Sequence, residues 1–481
     1  MKKLSILFFS FLNTILIGQP PYKFHSNFGG NGYDVGYDVK QTLDNGYIIT
    51  GSTSSFGQGN TDLYLLKLDS MGQKKFETSF GGYNNEIGKS IVQLSDSSYV
   101  IAGYTSSIGV GGYDVFLVKA DKNGNLMWQK TIGGSDWDFA YSMDTTADDG
   151  FIISGTTYSF GHGNADGYIV KTDANGDVIW SKTYGGLKDD EFKSVIQTSD
   201  GNFALAGSTK SYNDSLGDAW VFKVDVNGDS LWSKYFGGNK EDFLNQIIEN
   251  KNSDYIIAGA TNSFGAGLLD GYALRINNTG TAIATLVNGT ATFDEIYTSV
   301  ALSRRNSGNR LCLSQKELFV GYKFQIKLME YDFDLNYLAA SDHGSVNYDE
   351  TYKLIPTKDK GYAAIGYTNG FSSILTDCYL IKIDSTIIGG PHVVSIREMD
   401  KNDIQFKIYP NPTEHFLTIQ SNNVIDENLI KLYSLTAQEI YLKDKISFIS
   451  KQTAQLNLQE ILPGVYYLKY NNTIQKITII H

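Results

Sequence analysis

The sequence predicts an all-β protein, a seven-bladed β-propeller of four-stranded blades followed by a small Ig-like β-sandwich. Three observations carry this reading. A 52-residue period runs through most of the chain, each period holds four strand-like runs, and the pattern changes after Asp384. A four-stranded unit of ~40–50 residues repeated in tandem is the signature of a propeller blade.

The period is exact over several residue types. Gly-Gly doublets close at Gly30, Gly82, Gly134, Gly186 and Gly238. The same step relates Asp62, Asp114, Asp166, Asp218 and Asp270, then Asp69, Asp121, Asp173 and Asp225, and also Phe24, Phe76, Trp128, Trp180 and Trp232. Within the unit from Asp190 to Gly238 the runs FKSVIQT, NFALAGST, DAWVFKVD and SLWSKYF alternate apolar with polar residues, and Gly, Asn and Asp turns bound them. That is the pattern of antiparallel strands joined by hairpins.

Five units keep the step strictly. A sixth, near 294–341, is degenerate: Arg304 and Arg305 interrupt its first hairpin and its Gly-rich loop is lost. A seventh, 349–384, has three strands and lacks a fourth. At the other end of the chain YKFHSNFGG puts Phe24 in register with Phe76 and Trp128, so it is a fourth strand without a blade. Pairing the two closes a ring and removes two sheet edges. Residues 19–388 are therefore expected to form the propeller, 389–403 a linker, and 404–481 a separate β unit.

Composition narrows the function. With 49 Gly, 32 Tyr and only 7 Pro the chain suits short strands and tight turns. A formal charge of −12 argues against a nucleic-acid partner, whose phosphates call for a basic stripe. Residues 1–18 read as a signal peptide: Lys2 and Lys3, an apolar run from Leu4 to Ile17, then small Gly18. The run is short for a membrane span of about 20 residues, and no transmembrane helix is expected in the mature protein. Cys312 and Cys378 are the two cysteines and are expected as isolated buried thiols.

Several motifs invite chemistry. DANGD at 173–177 looks like the start of a calcium loop, but Gly176 falls at position 4 and Tyr184 at position 12 brings no carboxylate. An EF-hand needs Gly at 6 and Glu at 12. A hairpin turn is the better reading, with Asp173 as acceptor for its own backbone. GGYNNEIGKS at 81–90 has five residues between Gly82 and Gly88 where a P-loop needs four, and leads into a strand. The six histidines show no paired ligand spacing, and no GxSxG elbow occurs. No cofactor is expected, with calcium left open.

A second acidic series stands at the blade starts: Asp34, Glu86, Asp138, Asp190, Asp242, Asp294 and Asp349. Seven carboxylates around one mouth would attract a cation or cationic ligand. The alternative is that each caps a turn to the neighbouring blade. The repeated Trp and Phe are better explained by packing between sheets than by exposure. Sugar-stacking rings would then sit in variable loops, where Trp137, Tyr158, Tyr212 and Phe264 are candidates.

The last unit carries FKIYPNPTEHFLTIQS, LPGVYYLK and a terminal QKITII. Here Tyr409, Pro410, Asn411 and Pro412 are followed by FLTI, then come Leu462, Gly464 and Tyr466, and finally Lys476. Three blocks in this order resemble the C-terminal sorting domain of the type IX secretion system of Bacteroidetes. The resemblance implies export across the inner membrane by the signal peptide and across the outer membrane by 404–481, with the type IX machinery as partner. In that family the domain is commonly cleaved, with the cargo released or attached to surface glycolipid. The repeats also look like those of secreted proteins of these bacteria. The expected function is a secreted or cell-surface, non-enzymatic binding or adhesion propeller with a glycan or protein ligand. A secreted carbohydrate-active or other hydrolytic enzyme, and a structural surface-layer or gliding-related protein, are the alternatives.

Overall fold

A computed structural model describes residues 23–212, 216–304, 310–319, 323–345, 347–370, 375–384, 406–410, 413–421, 424–434, 439–442, 445–470 and 473–480. The signal-peptide reading of 1–18 and the linker 389–403 lie outside them.

Seven four-stranded antiparallel sheets follow one another along the chain. Blades one to five occupy 34–80, 86–132, 138–184, 190–236 and 242–288, and blade six occupies 295–343. Blade seven takes its first three strands from Asp349–Pro356, Tyr362–Thr368 and Asp377–Ile383. Its fourth is Phe24–Phe28, paired antiparallel from Phe24↔Lys382 to Phe28↔Cys378. The ring closes as the repeat predicts. Blade six is a full blade despite its weak patterning, and its two middle strands, Arg310–Phe319 and Lys323–Asp332, run to ten residues each.

The apolar cores lie between blades. One joins Val100 and Leu117 of blade two to Phe151 and Val170 of blade three. Another joins Phe24, Leu380 and Ile365 of blade seven to Val39 and Tyr64 of blade one. Cys312 and Cys378 are buried thiols, not joined in a disulfide.

The first strand of each blade carries a bulge, between Gly36 and Asp38 in blade one and at the matching place in the others. A bulge bends and twists a strand and re-aims its side chains. Polar residues just after it tie blade to blade around the axis. Asp38 accepts from Ile91 N at 2.9 Å, Ser194 Oγ from Ile247 N at 3.2 Å, Gln246 Oε1 from Val300 N at 3.0 Å and Ser299 Oγ from Leu354 N at 2.8 Å.

The fourth-strand aromatics lock the outer rim. Trp128 lies against Gly176 in the turn of the next blade, and Trp180 does the same at Gly228. Trp180 Nε1 also donates to Val226 O at 3.2 Å. Gly176 has φ +78°, so it meets two demands, a left-handed turn and a flat surface for the indole.

Another lock has no counterpart in the sequence reading. Buried lysines on third strands reach the turn between first and second strands of their own blade. Lys67 pairs with Asp44 at 3.0 Å, Lys171 with Asp148 at 3.0 Å, Lys223 with Asp200 at 2.5 Å and Lys382 with Asp359 at 2.6 Å. Arg275 with Asp254 fills the place in blade five at 2.8 Å.

The C-terminal unit is two four-stranded sheets. One holds Phe406–Tyr409, Phe416–Ser421, Ile446–Ser450 and Thr453–Asn457, and the other Ile430–Ser434, Glu439–Ile440, Gly464–Tyr470 and Thr473–Ile479. Leu417, Ile419 and Leu456 of the first pack with Leu432, Leu468 and Ile477 of the second. This is the face-to-face packing of a small sandwich. Among the described residues no helix is long and apolar enough to cross a membrane.

Candidate ligand site at the channel mouth

Six of the seven members of the acidic series are buried. Asp34, Glu86, Asp138, Asp190, Asp242 and Asp349 are at most 1 % exposed and sit in the seams between blades. Asp34 Oδ2 accepts from Gly30 N at 2.9 Å and Ser55 Oγ at 2.5 Å, and Oδ1 accepts from Thr53. Gly30 follows the last strand of blade seven while Ser55 and Thr53 belong to blade one, so one carboxylate staples two blades. Glu86, Asp138, Asp190 and Asp242 repeat the arrangement on Gly82, Gly134, Gly186 and Gly238. Asp349 accepts from Ser345 Oγ at 2.8 Å. The 52-residue count misplaces one member. One extra residue before blade six puts Glu295, 1 % exposed, at the strand start, and Asp294 instead accepts from Leu269 N at 3.1 Å.

The staples of blades one to five each have an acidic neighbour from the preceding third strand. The space beside Gly81 is bounded by Asp62 and Glu86, and that beside Gly133 by Asp114 and Asp138. Burial and the facing carboxylate raise the pKa of Asp62 and of Asp114. DANGD is a turn: Asp173 Oδ1 accepts from Asn175 N at 2.9 Å and Asp177 N at 2.8 Å, and Asp173 N donates to Asp177 O. Among the described residues no three His, Cys, Asp or Glu gather so as to hold a metal ion.

What the loop face does present is an aromatic cluster over blades two and three. Trp137 and Tyr158, 49 % and 42 % exposed, have ring centroids 5.9 Å apart. Phe139 lies 6.2 Å from Trp137 and 4.9 Å from Tyr104, and Tyr113 is 5.4 Å from Phe139. Tyr141 stacks on Phe139 at 6.2 Å with planes 6° apart. Phe139 and Tyr141 both lie on the first strand, Asp138–Thr145, and both stay partly exposed while Asp138 and Ala140 beside them are buried. Together the rings form a ladder from the surface into the channel.

The loops hold the outermost rungs. Tyr158 N donates to Trp137 O at 2.7 Å, joining the loop before the first strand to the loop after the second. Gly112 makes room for the indole, since a β-carbon there would stand 1.9 Å from Trp137 Cδ1. Asp189 pairs with Lys210 at 3.3 Å beside the cluster, and Glu191 pairs with Lys193 at 2.6 Å further in. Burial raises the Tyr158 hydroxyl, with Asp189 and Glu191 adding to it.

Two amines stand deeper on the same wall. Lys193 Nζ is 4.0 Å from the centroid of Tyr141, and Lys89 Nζ is 3.4 Å from that of Tyr37 and 5.9 Å from that of Tyr104. Burial and the nearby Lys193 push the Lys89 amine down to about 7.

The other two loop aromatics stand apart. Tyr212 packs on Tyr235 at 5.3 Å beside a cleft of about 370 Å³ between blades three and four, and Phe264 packs on Tyr272 at 6.3 Å. Of the four candidates, the structure brings together Trp137 and Tyr158.

In the C-terminal unit the three sequence blocks converge. Thr413, just after YPNP, bridges Ile479 and donates its N–H to Thr478 O at 2.8 Å. Gly464 pairs with Ile479 and Tyr466 with Ile477, and Tyr466 Oη donates to Leu462 O at 2.7 Å. Tyr409 and Leu462 are exposed, at 48 % and 78 %. Asn411, Pro412 and the side chain of Lys476 lie outside the described residues. Residues 407–480 match the family of secretion system C-terminal sorting domains. The C-terminal unit is a sorting domain. The sorting domain implies export by the type IX machinery, to the cell surface or beyond it.

The remaining likenesses concern other parts of the chain. The regulatory protein FlaEY of Caulobacter vibrioides is 25 % identical over 214 residues, 37 % of this chain and 22 % of that protein. Among solved structures, the Pan2 WD40 domain of Neurospora crassa is 10 % identical with a TM-score of 0.45, covering 76 % of this chain and 96 % of its own. YCF48 bound to a D1 peptide is 10 % identical with a TM-score of 0.43, covering 76 % and 97 %. Puromycin hydrolase is 10 % identical with a TM-score of 0.46, covering 82 % and 59 %. The strand pairing of this chain, and not these likenesses, establishes its seven blades.

Proposed function

We propose that the chain is a non-enzymatic binding protein of the cell surface or its surroundings, whose propeller takes a glycan at the channel mouth. In this reading residues 1–18 direct the first export step and 404–481 the second. The observation that carries the ligand is the Trp137–Tyr158 pair, half-exposed over a continuous aromatic wall with the Asp189–Lys210 pair beside it. An aromatic face gives a sugar ring an apolar surface, and the charged pair gives its hydroxyls partners. A glycan is favoured over a protein because the exposed rings sit at the mouth of a channel rather than on a broad flat patch. The proposed binding needs no cofactor.

The test is a broad oligosaccharide array probed with the purified full chain, with product release followed in parallel. Saturable binding without turnover supports the reading. Reducing-end release would replace it with the hydrolytic alternative.

A further inference from the structure

Within the glycan reading, on which this step rests, we infer that the ligand is an acidic sugar whose anionic group is received by Lys89. Lys89 is the fourth residue of the first strand of blade two, Glu86–Gln93, and stands in the channel at the level of Tyr37 and Tyr141. Its amine contrasts with the other cations nearby. Lys193 is matched by Glu191 at 2.6 Å, Lys210 by Asp189 at 3.3 Å and Lys40 by Asp38 at 3.2 Å. Among the described residues Lys89 has no carboxylate partner. It faces the rings of Tyr37 and Tyr104 and, across the channel wall, the like charge of Lys193.

A cation held in a partly dry channel by aromatic faces alone is an incomplete electrostatic arrangement. The Lys89 amine, already brought down to about 7 by burial and by Lys193, would be restored toward its charged form by an anion placed beside it. The ladder leads there: the ring of Phe139 lies 6.2 Å from that of Trp137 and 4.9 Å from that of Tyr104, and Lys89 Nζ lies 5.9 Å from the Tyr104 centroid. A chain of sugars stacked on the outer rungs therefore brings an inner carboxylate or sulfate to the amine. The charge-assisted contact would select acidic over neutral glycans, while the stacking surface would serve both.

The experiment uses an array of matched pairs, each carboxylated or sulfated oligosaccharide beside its carboxyl-reduced or desulfated form. Full chain, Lys89→Met, Lys89→Arg and Trp137→Ala are compared after thermal melts show that each folds. The expected result is acidic members bound ~tenfold tighter than their neutral partners, a preference lost in Lys89→Met and kept in Lys89→Arg. Carboxylated and sulfated arms separate the two anion sources. Equal binding of both members of each pair, or a preference that survives Lys89→Met, overturns the inference while binding that depends on Trp137 leaves the glycan reading standing. No binding to any member overturns both.

Discussion

Lys171 Nζ stands 3.0 Å from both carboxylate oxygens of Asp148 and 2.8 Å from the carbonyl of Thr172, so one buried amine joins the third strand of blade three to its first turn. Removing the amine leaves the turn without its anchor, and removing the carboxylate leaves the amine buried and unpaired. The second is the more costly change, because an unmatched buried charge retains its desolvation penalty. Asp148→Ala is expected to lower the melting temperature more than Lys171→Met does. Melts of the two variants and of the double variant check this, and the double variant should lie above Asp148→Ala.

The same pairing sets a response to acid. A hydrogen bond from Thr146, with Lys171 beside it, holds Asp148 at about 2 against an ordinary 3.8, and at Asp44 the bonds from Thr42 and Lys67 outweigh burial to reach about 2. A depressed carboxylate contributes stability above its unfolded pKa and loses it as pH falls through the folded one. The seam carboxylates Asp62, Asp114 and Asp270, raised by burial, act in the opposite sense. Their cost is relieved as pH falls toward their raised values. The melting temperature should therefore hold or rise slightly as pH falls from 7 to about 4.5, then drop steeply between about 4 and 2. Melts across that range read both limbs, and a steady fall from pH 7 would contradict the seam assignment.

Gly176→Ala is expected to destabilise the rim twice over. It strains a residue at φ +78° and puts a β-carbon 2.8 Å from Trp128 Cη2. Trp180→Ala, which empties the equivalent place against Gly228, should cost about 2 kcal/mol, below the ~3–5 of a fully buried ring because the indole is only partly buried. Denaturant titration of each variant measures the loss.

Deleting residues 19–28 removes the strand that pairs Phe24 with Lys382 and Phe28 with Cys378. It opens the ring at one seam and exposes the edge of Asp377–Ile383. A fall in melting temperature of about 5–10 °C is expected for losing one well-packed aromatic strand. An unchanged melt would mean that the ring does not depend on its closing strand.

The architecture was legible because the repeat imposes it. The step shared by Gly30, Asp69 and Phe24 locates the turns and outer strands of the five regular units, and the same alignment exposes the closing strand. Three features were hidden, each for a physical reason. The bulge after Gly36 shifts the alternation of the first strand, so a count of positions puts Val39 on the opposite face from Asp34, whereas both are buried. One extra residue before blade six moves the acidic position from Asp294 to Glu295. Lys171 and Asp148 are 23 residues apart, and each alone reads as an ordinary surface charge. The aromatic mouth was legible in part: Trp137 and Tyr158 stand out as rings in variable loops, whereas Phe139, Tyr141 and Tyr104, which continue the wall, read as ordinary strand residues. Trp137 stands where blade one carries Tyr33 and blades two, four and five carry Asn85, Asp189 and Glu241, and Tyr158 stands where these four carry Ser54, Ser106, Lys210 and Asn262. Family motifs, by contrast, carried the sorting domain completely, because YPNP, LPGVYYLK and QKITII are local blocks that meet at Thr413 and Ile479.

Gly112→Ala offers an indirect probe of the mouth. The added methyl cannot coexist with Trp137 in place, so the indole must swing away while no charged or ring group is removed. Glycan affinity should fall roughly as far as in Trp137→Ala, with little change in melting temperature, because Trp137 is half-exposed. Parallel titrations and melts of the two variants make the comparison.

The most direct test of the account is calorimetric titration of the full chain with the best oligosaccharide from the array, repeated with Trp137→Ala and with Tyr212→Ala. Loss of a stacking ring should weaken binding by at least ~tenfold in Trp137→Ala, while Tyr212→Ala, in the separate cleft, binds as the unaltered chain does. Unchanged affinity in Trp137→Ala, or loss confined to Tyr212→Ala, would contradict a ligand site at the channel mouth.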